Sequence, residues 1–453
     1  MTCPSDVNAV GWVSTASASV IIIPATNVPT ACTLTWTISS TGKPGSINYD
    51  PTYGKHNEYF FKFDDVVLIE QYDPDGFDEQ VVPDFRIFAH CNQKVKLIGR
   101  ISDPINSLGD LFLIPSVDFA TSRYVIEFPT TSSEFLGSVS VLPVSTTRNV
   151  NVSIATYIDG IQWGRVKTFD YDASLGAEQR YMSLMFNRYS NASLIITSDS
   201  NIMLLVTAPY VTPSSSGFCG VSCEPDYVAF MPIGSAPKQC GSKTKKPEER
   251  MTTHDFASRY YISPPNVDDT CNDDPKITVY DDITNMAAGK SISVSKVGQT
   301  AVSVINKNQT GFLTYEGAMP TYRLGSVVQK DGITAFGHFA HYLPSTLEWI
   351  SGATQFYTLA NNCFLEIYIK SQTIDLKRVK IDGVPLANLH YTETYIEMFV
   401  VNLMQYIVPV DGYGVHNFEN EAGTSVSYVV CKNVNGPYNA AGYLTGFNKV
   451  SSE

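Results

Sequence analysis

The chain has 453 residues, 43% hydrophobic and only 17% charged, the balance of a folded polypeptide rather than a disordered one. Its net charge of −13 and pI near 5.0 exclude a nucleic-acid backbone partner, which requires basic patches, and adhesion to anionic lipid. At this length one hydrophobic core is not expected; roughly two to four domains are.

Tyr (26) and Phe (23) are abundant beside frequent Val, Thr and Ser, the composition of half-buried pleated surfaces. Stretches with helical apolar spacing are scarce. The fold class is therefore expected to be all-β, built of tandem antiparallel β-sandwich modules: an N-terminal domain, then three related repeats.

Residues 1–108 hold the N-terminal segment. Cys32 to Ile38 alternates like a sandwich strand, and Phe85 to Phe88 runs toward Cys91. These Cys-flanked strands are weakly similar to CUB-like domains of secreted nematode proteins. Tyr72-Asp-Pro-Asp-Gly-Phe77 has turn chemistry, with Pro74 presetting φ and Gly76 accepting a positive φ. Around it, Asp73, Asp75, Asp78 and Glu79 offer hard oxygen ligands and form the calcium candidate, the only cofactor the sequence suggests. EF-hand spacing fails there, because Asp84 stands where the bidentate Glu belongs. The competing reading is an acidic surface turn.

Repeat one spans 109–225. Ile114-Pro115-Ser116 leads into Asp118-Phe119-Ala120-Thr121-Ser122-Arg123-Tyr124, and that segment recurs one residue shorter as Asp255 to Tyr260. A looser echo, Ala353 to Tyr357, follows a Leu-Pro-Ser start at Leu343. Such self-similarity marks a repeating structural unit. Gly160 signals a turn, and Ser198 to Asn201 reads as a hairpin connection between Ser193–Thr197 and Ile202–Val206. Repeat two, 226–337, carries an insertion from Gly234 to Met251. Lys243 to Lys246 and Arg250 there read as a solvated, protease-sensitive loop. Repeat three, 338–453, contains strands at Phe364–Ile369 and Leu376–Ile381 and an Asp382-Gly383 turn.

Nine cysteines lie along the chain without zinc-site spacing, so disulfides and an oxidising compartment are expected. The expected pairs are Cys3–Cys32, Cys363–Cys431 and two bridges among Cys219, Cys223, Cys240 and Cys271, with Cys91 left over. Spacing alone does not dictate pairing, and free thiols in a cytosolic protein are the alternative. Asn151, Asn191 and Asn308 stand in glycosylation sequons. Met1-Thr-Cys-Pro does not begin a signal peptide, so secretion would require a removed leader and an added Met1. Tyr395 to Val410 is interrupted by Glu397, Asn402 and Gln405 and is too polar to span a membrane.

No catalytic constellation emerges. Gly220-Val-Ser-Cys-Glu224 fails as a nucleophile elbow, and phosphate loops are absent. His338 and His341 would meet only on a helix and read as partly exposed structural histidines. Nothing selects a carboxylate pair for glycoside cleavage.

The Pro-Ser…Tyr strand starts, the Val-x-Val strands after them, Ile195 to Val206 and the closing Tyr438 to Gly446 together resemble the N-terminal domain of IgG-Fc-binding proteins. The resemblance covers about residues 110–447. It implies a secreted, extracellular binding, adhesion or structural role in mucus, matrix or defence secretions. The implied partners are extracellular proteins, glycans or a second copy of the chain. No residue motif carries Fc binding itself, and no Cys-rich von Willebrand-type segment follows. A particle or virion surface protein and, third, a carbohydrate-active enzyme are the other readings.

Overall fold

The computed structural model describes residues 3–6, 17–70, 78–82, 84–105, 107–127, 129, 137–178, 181–186, 192–212, 225–268, 270–281, 288–298, 300–304, 309–328, 335–359, 362–370, 375–398 and 401–449. Alternating Val, Ile, Thr and Tyr segments become strands throughout. The one α-helix among these residues is the single turn Phe63–Val66.

Strands fall into four successive groups. The first holds β1 (Cys3–Asp6), β2 (Ser17–Pro24), β3 (Cys32–Thr37), β4 (Pro44–Tyr49), β5 (Glu58–Phe61), β6 (Val67–Glu70), β7 (Asp78–Val82), β8 (Ile87–Cys91), β9 (Val95–Asp103) and β10 (Leu108–Ile114). The second holds β11 (Thr121–Glu127), β12 (Gly137–Pro143), β13 (Val150–Ile158), β14 (Ile161–Tyr171), β15 (Tyr181–Phe186), β16 (Ala192–Val211) and β17 (Asp226–Phe230). In the third are β18 (Glu248–Thr253), β19 (Ala257–Ile262), β20 (Lys276–Tyr280), β21 (Lys290–Ser293), β22 (Ala301–Ser303), β23 (Gln309–Thr314), β24 (Thr321–Val328) and β25 (Ala335–Tyr342). The fourth contains β26 (Ile350–Thr358), β27 (Cys363–Lys370), β28 (Val379–Ile381), β29 (Val384–Pro385), β30 (Thr392–Met398), β31 (Val401–Val410), β32 (Gly414–Lys432) and β33 (Ala440–Leu444).

Strand order relates these groups in pairs, and here the structure corrects the expected layout of three like repeats behind an unlike N-terminal segment. The second group orders its sheet β14-β13-β16-β12-β15-β7, with β11 and β17 also on β16. The fourth orders its sheet β29-β28-β32-β27-β31-β30, with β26 and β33 also on β32, which is the same plan. Both plans place an Asp-Gly hairpin at the same point. Asp159-Gly160 and Asp382-Gly383 have φ of 50° and 75°, and 51° and 77°, as a two-residue type I′ turn requires. The first group, with sheets β10-β9-β2-β5 and β4-β3-β8, instead matches the third, with β25-β24-β19-β22 and β21-β20-β23-β18. Thus the Tyr124 segment and the Ala353–Tyr357 segment open like sheets. The Tyr260 segment is the counterpart of β2.

The hairpin expected at Ser198–Asn201 is also corrected. Residues 192–211 form one strand, whose first half pairs with β11 and β13 and whose second half pairs with β12 and β17. The polar tetrapeptide marks where a strand changes partners rather than where the chain reverses.

Contacts also run between the groups. β7, from the N-terminal segment, pairs with β15 of the second group. One hydrophobic cluster runs from Phe85 to Leu444 and holds both Tyr124 and Tyr260. Ser263 Oγ donates to the carbonyl of Val125 at 2.7 Å, so the two neighbourhoods touch.

Disulfides link Cys32 to Cys91, Cys240 to Cys271 and Cys363 to Cys431. Cys91 is therefore no leftover, and the expected Cys3–Cys32 bridge is ruled out because Cys32 faces Cys91 across β3 and β8. Cys219 and Cys223 lie outside the described residues. Cys363–Cys431 closes a span of 68 residues. The double variant Cys363→Ala/Cys431→Ala should lower unfolding free energy by about 2–4 kcal/mol, read as a lower urea midpoint.

Candidate interaction site

The terminal strands of the groups, β10, β17, β25 and β33, pack against one another in a ring at the centre of the molecule. Two carboxyl groups with no accessible surface to speak of hold that ring. Asp226 Oδ2 accepts the backbone N–H groups of His338 (3.0 Å) and Ala440 (2.9 Å). Its Oδ1 accepts from the Tyr227 N–H (2.8 Å) and Asn439 Nδ2 (2.6 Å). Asp110 accepts from the N–H groups of Leu111, Ala229 and Gly442. Glycines let the strands approach this closely. Gly109 and Gly337 have φ of 146° and 62°, and a Cβ on Gly337 would stand 2.6 Å from that of Ala440.

Between the third and fourth groups lies a second buried network. Arg323 Nη2 donates to Glu366 Oε2 at 2.6 Å, Nη1 to Thr252 Oγ1 at 3.0 Å, and Nε to His341 Nε2 at 3.0 Å. Tyr368 donates to Glu366 Oε1 at 2.6 Å, and the guanidinium sits 4.6 Å over the Tyr428 ring. Burial, with Arg323 beside it, holds the His341 pKa well below its ordinary value, so its Nε2 is free to accept. The side chains of both networks are buried, so both serve as welds.

Each sequence candidate now has a place. Asp73 and Asp75 lie outside the described residues. Asp78 and Glu79 belong to β7, where their backbones pair with Met185 and Leu184 of a neighbouring strand. Of the sequons, Asn151 is exposed on β13 and donates to Asp170 at 2.6 Å, while Asn191 and Asn308 lie outside the described residues. His338 and His341 share strand β25, and both are buried rather than partly exposed, because four groups of strands enclose them. Arg250 leaves the expected solvated cluster: β18 buries it, with Glu248 at 2.6 Å. Cys240–Cys271 and the Lys238–Glu316 pair tie down the preceding loop. Cys240, Cys271 and Asp273 come together, but the two thiols are consumed in the bridge.

Two strands at the surface have the geometry of an interface. Among the described residues β14 ends its sheet and pairs only with β13. Along it Ile161, Trp163 and Val166 are 74%, 48% and 50% exposed, and Arg165 is exposed between them. Its counterpart β29 is two residues long and ends in Pro385, the ordinary way to blunt an edge. β30 ends the other eight-stranded sheet, with Thr392, Glu393, Thr394 and Tyr395 all exposed. Exposed Arg165 thus places a positive charge on the β14 edge, and exposed Glu393 a negative one on β30. Both signals were readable only after strand order was known.

The fold defines the class: a disulfide-linked, all-β protein of stacked antiparallel sheets. No protein-family model matches the chain, and no curated protein matches it significantly.

Proposed function

We propose that the chain is an extracellular, non-catalytic binding and structural protein that associates with further copies of itself by strand addition, head to tail. Three disulfides are the chemistry of an oxidising compartment, and no helix among the described residues is long and apolar enough to cross a membrane. The resemblance to IgG-Fc-binding N-terminal domains supports the same reading. The observation that carries it is the pair of sheet edges β14 and β30, beyond which no further strand pairs among the described residues. A long, exposed, partly apolar edge is a template for another strand, and natural proteins suppress such edges when they are unused.

Charge selects the pairing. A symmetric β14–β14 contact would bring Arg165 of two copies together, whereas β14 against β30 sets it against Glu393. Because the two surfaces differ, each copy keeps one edge free, and the product is an open chain instead of a closed dimer.

Sedimentation velocity over a concentration series tests this. The chain should form a ladder of species that weakens with added salt. Arg165→Glu or Glu393→Lys alone should weaken association roughly tenfold, and combining the two should restore it. A concentration-independent monomer, or single variants without effect, would reject the reading.

A further inference from the structure

Between the two sheets of the first group, and against β12 and β16 of the second, lies a cavity of about 590 Å³. Aliphatic side chains make its walls, among them Val20, Leu34, Leu97, Ile114, Leu142 and Leu205. Protein interiors rarely leave a void larger than a water molecule, and ligand pockets run to roughly 300–1,000 Å³. The fold plan alone does not demand the space. In the third group, which shares the plan, Ile277, Val279 and Phe312 close the interior and are buried. In the first group Ile87, Ala89, Val95 and Leu97 remain only partly buried.

A second cavity of about 360 Å³ adjoins it, lined by Trp36, Ser46, Thr146, Arg148 and Tyr171. Arg86, Phe88 and Pro143 line both, so the two cavities meet there, with the Arg86 guanidinium 4.8 Å over the Phe88 ring. Arg86 is anchored beside this junction. It pairs with Asp84 at 2.8 Å and donates to the carbonyl of Pro143 at 2.6 Å. Around the mouth Arg86 and exposed Arg148 outnumber the one acid, Asp84, although the whole chain carries −13.

We infer that this double chamber binds a long-chain carboxylic acid, its hydrocarbon tail among the aliphatic walls and its carboxylate at the hydroxyl- and arginine-lined end. Transfer of the tail from water is the driving force, and the cationic mouth selects the head. The site meets the β14 edge at Tyr171, the last residue of that strand, and lies away from Arg165 and Glu393.

The test is fluorescence titration of the full chain with cis-parinaric acid, followed by displacement with hexadecanoic acid or hexadecanol. Saturable uptake of one molecule per chain is expected, displaced better by the acid than by the alcohol. Ala89→Phe, and separately Leu97→Phe, add volume to the wall and should weaken uptake by roughly tenfold or more, with thermal melting checking that each variant folds. Arg148→Glu should weaken displacement by the acid and leave the alcohol unchanged. No saturable uptake, or uptake indifferent to both filled variants, overturns the site. Equal competition by acid and alcohol, unaltered in Arg148→Glu, overturns the head-group assignment.

Discussion

Glu366→Ala is expected to remove about 3–5 kcal/mol of unfolding free energy, the largest loss from any single side chain outside the centre of the molecule. Both partners of its ion pair are completely buried, and Arg323 Nη2 lies 2.6 Å from the carboxylate. Burial by itself pulls the Arg323 pKa down, and the Glu366 charge more than reverses that, raising it above its ordinary value. The guanidinium stays charged whatever happens to its partner. Alanine at 366 therefore strands a cation inside protein and also takes one acceptor each from the Tyr368 hydroxyl and Gln405 Nε2, which both donate to Glu366 Oε1. The double variant Glu366→Met/Arg323→Met should recover most of the loss, because an apolar pair of similar volume avoids both desolvation costs. Urea denaturation of the two variants decides the matter. If the single variant loses under about 1 kcal/mol, the pair is not the weld between the third and fourth groups that its geometry indicates.

How much of this was legible in the residues differs by level. Strand content was, since β-branched and aromatic alternation acts locally; so were the turns at Gly160 and Asp382-Gly383, whose positive φ only a few residue types accept. Strand partnership was not. Ser198 to Asn201 has ideal reversal chemistry, yet β16 runs straight through it, because paired strands on both sides of each half outweigh a local preference. Cys32 found Cys91 across a sheet 59 residues away, a relation that spacing does not encode. The central acids did leave a trace. Asp226 precedes Tyr227-Val-Ala-Phe230, and Glu366 stands within Leu365 to Ile369. A carboxylate in a strand buried on both faces must have a partner, and that signal points to a weld without naming the other half. The open edges left none, since an edge exists only once sheet order is fixed.

Asp226→Ala should be at least as damaging, about 3–5 kcal/mol, because the backbone N–H groups of His338 and Ala440 and the Asn439 amide lose their acceptor together, at about 1–3 kcal/mol for each buried orphan. Its pH dependence separates this weld from the other. Burial lifts both central carboxyls well above the usual carboxylate range, and the neighbouring Asp226 adds to the lift on Asp110, against the backbone hydrogen bonds that oppose it. A folded pKa above the unfolded one contributes stability in full below about pH 4, and that contribution is lost as pH climbs through the folded value. The deficit of Asp226→Ala relative to the parent chain should accordingly be widest at the acid end and narrow toward neutral pH and above. His341 works in the other direction. Its depressed pKa contributes stability above about pH 6.5 that is lost on acidification, so it cannot mimic the effect. Urea midpoints for parent and variant from pH 4 to pH 9 would show the trend. A deficit that grows with pH would mean that the four N–H donors hold Asp226 ionised, and that the centre of the molecule is cemented by a charged carboxylate instead of by a neutral carboxyl.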